Sequence, residues 1–209
     1  MDAPEVCRRT GARLVGSTST ANIARGWGLP DEQICAIRLG KALEVGAFHV
    51  TFIPSRHATP LHYPGGIDAP LIPPARAGAY REGGTFAILI EHPYGSLLVH
   101  ESAAHAPGEL AGASAQAAFV SVASLSRRPA EREAYFREVV LAVGARLVCP
   151  IHHDFFFAPL RVNPILLPGA REALDWLARR VAQEPGMEFK LPRPWETFQP
   201  YGPISSEVL

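Results

Sequence analysis

Apolar and polar residues alternate along the chain with two periods, that of a strand and that of a helix. In residues 33–57, QICAIRLGKALEVGAFHVTFIPSRH, apolar and β-branched positions alternate with polar ones between glycines, which predicts consecutive strands joined by tight turns. Residues 85–102, TFAILIEHPYGSLLVHES, carry the clearest hairpin pattern, two apolar strands around an HPYG turn. The rhythm then lengthens. Residues 117–124, AAFVSVAS, predict a short apolar strand. Residues 127–144 place Phe136, Val139, Val140 and Val143 on one helical face, with Pro129 near the start and Gly144 past the end. Residues 145–151, ARLVCPI, predict another strand, and a strand–helix–strand unit predicts a parallel pair. Residues 169–183 carry Ala170, Leu174, Leu177 and Val181 on the inward face of a last helix, and residues 187–200 read as an extended tail.

Ahead of these, MDAPEVCRRTG predicts a short helix that opens with Pro4 and ends at Gly11, followed by a brief strand, ARLVG. STSTANIARGWG then offers hydroxyl caps and a helical turn or two. Residues 58–84 form a proline- and glycine-broken stretch too long for an ordinary connection. Two readings stand for it: a lid in which Tyr63 and Tyr80 cover a site, or an insertion packed on the surface. Strands followed by alternating strands and helices predict a layered α/β sandwich, whose functional side chains gather just past the strand ends. With no internal repeat and no domain boundary in the pattern, a single domain over residues 1–209 is expected.

Composition narrows the partners. The 209 residues carry no formal net charge, and no basic stripe with interleaved aromatics occurs, so nucleic acid is not an expected partner. The chain has no apolar run of eighteen residues and no signal-peptide pattern, so no membrane span is expected. Cys7, Cys35 and Cys149 stand singly in apolar surroundings without a CxxC, as small core residues in a reducing compartment do; the cytoplasm is the expected location.

Candidate chemistry concentrates where apolar strands stop. His57 follows HVTFIPSR and His152 follows LVCPI, each at the head of a loop. Neutral imidazole is the commonest protein ligand for zinc, whereas a single histidine beside apolar sequence more often serves structure. Asp154 is near enough to orient a ligating ring, and His153 alternates to the opposite side. Phe155, Phe156 and Phe157 either lower the dielectric around such a site or belong to the core. In LLVHESAAH, alternation puts His100 and Ser102 on one face and Glu101 on the other; the cluster is either a metal position or a polar rim to the sheet. No GxSxG, GxxxxGK or GxGxxG occurs, and Cys149 precedes a proline inside a strand, a poor place for a catalytic thiol.

The order of these parts resembles the C-terminal two thirds of a metallo-β-lactamase-fold hydrolase, and the likeness covers nearly all of the chain. DAPEVCRRTGARLVGSTSTANIARGWGLPDEQI is similar to the helix, strand and helix that follow the family's first metal motif. FIPSRHA is similar to the strand end that carries the third histidine ligand, here His57. FAILIEHPYGSLLVHES looks like the hairpin that leads to the bridging aspartate, and VCPIHHDF like the closing segment whose first histidine, here His152, ligates the second metal. Two departures accompany the matches. The signature HxHxDH is absent, and Ser102, with Glu101 beside it, stands where the bridging aspartate is expected.

The resemblance thus implies a partial αββα sandwich, mixed sheets flanked by helices, in a domain that is N-terminally incomplete. It implies zinc or another divalent metal, one or two ions in a complete relative and weak or absent binding here. The implied reaction is attack of a metal-bound hydroxide on an ester, lactone, amide or phosphoester of a small-molecule substrate. Two histidines fall short of the three protein ligands that catalytic zinc requires, so this chain alone is expected to be inactive or weak. The alternative is a degenerate relative that serves as a binding or assembly module. In either case an exposed sheet edge invites a homo-oligomer.

Overall fold

In the computed structural model, which describes residues 2–59, 62–159 and 163–201, these elements fall into two units. Residues 1–41 with 59–85 make the first, and residues 42–58 with 86–209 the second. Met1 of the predicted first helix and residues 60–61 of the long loop lie outside the described residues.

The first unit opens with α1 (Ala3–Thr10), which Pro4 starts and Gly11 ends in the left-handed conformation, its N–H donating to Cys7 O. Strand β1 (Leu14–Gly16) leads to α2 (Thr18–Gly26), whose N-cap Ser17 accepts the Thr20 N–H on its hydroxyl at 3.3 Å. β2 (Ile34–Ala36) pairs in parallel with β1, and Cys7, Leu14, Ala24 and Leu29 close a small core. The long loop packs on α2. Asn22 Nδ2 donates to Ile67 O at 2.7 Å, and the Ile67 N–H donates to Ser19 Oγ at 2.9 Å. A Cβ at Gly26 would stand 1.9 Å from Leu71 O, so the approach of loop to helix requires glycine there.

The second unit is built on a seven-stranded mixed sheet in the order β3-β4-β5-β6-β7-β8-β9. β3 (Leu43–Val45) pairs antiparallel with β4 (Phe48–Pro54), and β4 with β5 (Phe86–His92). β5 and β6 (Gly95–His100) form the expected hairpin, in register from Ala87↔His100 to His92↔Gly95. From β6 onward pairing is parallel, through β7 (Ala117–Ser121) and β8 (Leu147–Ile151) to the two-residue β9 (Glu188–Phe189). The predicted run of strands over residues 33–57 is therefore divided, β2 joining the first unit's sheet and β3 and β4 the second's.

One face of this sheet, through Ala87, Leu98, Ala118, Val120 and Val148, packs under helices. The helical pattern of residues 127–144 forms α3 (Arg132–Tyr135), which widens into a π-helical stretch, Phe136–Leu141. Its predicted inward residues Phe136, Val139, Val140 and Val143 are all buried. α4 (Ala170–Val181) buries Ala170, Leu174, Leu177 and Val181. Two arginines hold the helices together: Arg132 donates to Leu125 O and to both carboxylate oxygens of Glu172, and the Arg180 guanidinium lies 4.3 Å over the Phe136 ring. On the other face Ala117, Leu147 and Cys149 make a smaller cluster in which Phe119 stacks on Phe198 at 6.3 Å.

Truncation at the centre of this core leaves a cavity, so Phe136→Ala should lower the unfolding free energy by about 4 kcal/mol in urea titrations. Phe157→Ala, at a ring 79% exposed, should stay within about 0.5 kcal/mol of the parent.

Candidate functional site

Because β5 runs against both β4 and β6, the carboxyl ends of β4 and β6 lie at the same edge of the sheet, and parallel pairing adds those of β7 and β8. The sequence-predicted residues all stand at or just beyond that edge: His57 past β4, His100 to Ser102 at the end of β6, and His152 to Asp154 past β8.

His57 is exposed, and its Nδ1 lies 2.5 Å from Ala58 O. A carbonyl only accepts, so Nδ1 donates, and in the neutral ring Nε2 is then the lone-pair nitrogen, the tautomer a metal ligand needs. His152 is also exposed. Its φ of 57° is left-handed, which turns the chain sharply at the strand end, and its ring meets Phe156 edge-on at 5.4 Å. Phe155, Phe156 and Phe157 are 37, 56 and 79% exposed and form a surface cluster rather than core. Asp154 forms a backbone bridge with Leu166, and among the described residues its side chain makes no hydrogen bond to His152. Burial holds the His153 imidazole below its ordinary value, against the raising effect of Asp154, and His153 Nδ1 is buried without a partner among the described residues.

The β6 end is built differently. Ser102 is buried, and its hydroxyl accepts the Ala58 N–H at 2.7 Å; Glu101 is exposed. His100, 1% exposed, lies on the helix-facing side of the sheet with Leu98. Its Nδ1 is 2.9 Å from Ser102 O and its Nε2 is 2.8 Å from Glu109 Oε1. Both partners are acceptors, so a ring carrying both protons donates to each, and His100 and Glu109 are then a buried ion pair. Ser55 Oγ donates to the same Glu109 oxygen at 3.0 Å, and Glu109 Oε2 accepts the Ala106 N–H at 2.7 Å. Burial pushes the Glu109 carboxyl up, but His100, Ala106 and Ser55 outweigh it and hold the group below the ordinary range. Tyr135 packs edge-on against His100 at 5.5 Å; burial, with the Glu109 charge, drives its phenol far up, so it stays neutral.

This cluster is not a hydrolytic triad. Such a triad needs the acid on one ring nitrogen and the hydroxyl on the other. Here Glu109 and Ser55 share the Nε2 side, and Nδ1 faces the Ser102 carbonyl. Cys149 is equally unsuited to nucleophilic work, since burial pushes its thiol up to about 11.

Sequence reasoning named His100 but not Glu109, Ser55 or Tyr135. The available signal was the alternation that puts His100 inward beside Leu98, because a buried imidazole needs partners. Two clefts, of about 360 Å³ at the β5–β6 turn and about 420 Å³ beside Arg146 and Met187, include none of the predicted site residues. Among the described residues no three His, Cys, Asp or Glu side chains converge to hold a metal ion. No helix among them is long and apolar enough to cross a membrane.

A solved structure with a similar fold is a mutant of the β-hydroxylase CmlA, at a TM-score of 0.51 and 18% identity, covering 87% of this chain and 38% of that one. The fold is mixed α/β, of the metallo-β-lactamase type. CmlA itself, a diiron β-hydroxylase from Streptomyces venezuelae, aligns at a TM-score of 0.42 and 16% identity over 76% of this chain and 33% of that one. Among curated proteins, a UPF0173 metal-dependent hydrolase of Methanopyrus kandleri is 33% identical over 85 residues. The match spans 41% of this chain and 36% of that protein. No protein-family model matches the chain.

The lowered Glu109 pKa has a definite sign for stability. Its contribution is complete above the ordinary carboxyl value of 4.5 and is lost as pH falls through the lower folded value. At pH 7 the parent should exceed Glu109→Gln by about 2 kcal/mol in urea titrations, and the gap should close as the pH is taken below 4.5.

Proposed function

We propose that this chain is a metal-dependent hydrolase relative of metallo-β-lactamase fold in which His57 and His152 each supply one imidazole to a metal. One observation carries the reading: the ends of β4 and β8 bring two exposed imidazoles to the same sheet edge, one of them fixed with Nε2 as its lone-pair nitrogen. The partial similarity to a metal-dependent hydrolase of Methanopyrus kandleri supports it. The expected substrate is a small ester, lactone, amide or phosphoester, and zinc is the expected ion. Three unpaired cysteines suit a reducing compartment, for which we propose the cytoplasm.

In kind the two imidazoles fit a zinc ion; in number they do not make a catalytic centre. A working site takes three protein ligands and one open position. The described residues bring no such group together, so activity requires further donors. A second reading, a non-catalytic binding or assembly module, is favoured by Ser102. Its hydroxyl is spent on the Ala58 N–H at the position where the family resemblance expects a bridging carboxylate.

Zinc titration of the purified chain by calorimetry separates the two. The hydrolase reading expects weak zinc binding that both His57→Ala and His152→Ala diminish at least tenfold. No binding by the parent, or binding indifferent to both substitutions, would favour the module.

A further inference from the structure

We infer that His100 and Glu109 form a buried hub that positions the loop bearing His57. This rests on the reading above only in taking His57 as a functional group.

The hub reaches both sides of that histidine. Two residues before it, Ser55 Oγ donates to Glu109 Oε1 at 3.0 Å and lies 3.3 Å from His100 Nε2. One residue after it, the Ala58 N–H donates to Ser102 Oγ, and the carbonyl of the same Ser102 accepts from His100 Nδ1. His100 therefore holds, through two serines, the chain on either side of His57. Ala58 O in turn accepts from His57 Nδ1, so the position of the Ala58 peptide sets the tautomer and the direction of the ring. Glu109 is anchored independently, by the Ala106 N–H.

A merely structural role explains this cluster less well. The surrounding sheet face is apolar, with Ala87 and Val120 paired with His100 in register and Leu98 on the same face of β6. A buried ion pair in such a place is seldom more stabilising than hydrocarbon of similar volume, whereas its directional bonds fix one geometry. Polar groups at this point in the core thus act on the loop rather than on the core. Ser102 also gains a task, as the acceptor that ties the β4 end to the β6 end.

The test is amide hydrogen exchange of the full chain, read at Ala58, together with the nitrogen chemical shifts of the His57 ring. The double variant His100→Leu with Glu109→Gln removes the ion pair without stranding a buried charge and keeps the Ala106 bond. It should unfold cooperatively, yet exchange Ala58 at least tenfold faster, with the His57 ring mixing tautomers. Ser55→Ala, which leaves the core intact should the double variant not fold, should raise Ala58 exchange by several fold. Unchanged Ala58 exchange in Ser55→Ala, or in a folded double variant, would overturn the hub.

Zinc ion alone, added to parent and double variant, keeps this outcome apart from that of the function. Binding by the parent that weakens ten- to a hundredfold in the double variant supports both. Absence of zinc binding by the parent sinks the metal reading, while the exchange result still decides the hub.

Discussion

Parallel pairing of β6 with β7, in the register Leu97↔Ala117 to His100↔Val120, fixes where every candidate residue of the second unit can stand. Up to β6 the sheet is antiparallel, so chain direction alternates and successive strand ends fall on opposite edges. Once β7 and β8 run parallel to β6, their ends accumulate on one edge, together with that of β4. His57, His100 and His152 come from segments far apart in sequence and share that edge for this reason alone. The helices on the Leu98 face then seal His100 from water while leaving His57 and His152 outside.

That division of one edge into a wet and a dry half governs the chemistry of each part. The exposed imidazoles face solvent. The dry imidazole must find acceptors for its protons, and it does so at Ser102 O and Glu109. Resemblance to a metallo-hydrolase draws attention to the wet half, yet the dry half holds the denser set of hydrogen bonds and joins the two strand ends physically.

The regular elements were legible because they repeat. Period-two alternation marked the β5–β6 hairpin, and the spacing of Ala170, Leu174, Leu177 and Val181 marked α4. The assignment of β2 to a different sheet from β3 was not legible, because pairing partners are chosen by tertiary contact and leave no local trace. The helix over residues 127–144 was legible in its buried face but not in its π-helical stretch, since the same inward residues serve either winding. His57 and His152 could be picked out at strand ends. Glu109 could not, because it sits in a turn-rich stretch without periodicity and meets Ser55 across 54 residues of chain. Phe155 to Phe157 read as either core or site wall, since an apolar triplet has no period with which to say where it points.

Cys149 also gives the molecule an internal timer. Cys7 lies in the core of the first unit and Cys149 in that of the second, each shielded, while Cys35 is only partly covered. A thiol held at about 11 inside a sheet, as Cys149 is, is inert to alkylating reagents until its surroundings open. Mass labelling of Cys149 would therefore record the opening of its surroundings in the unaltered chain.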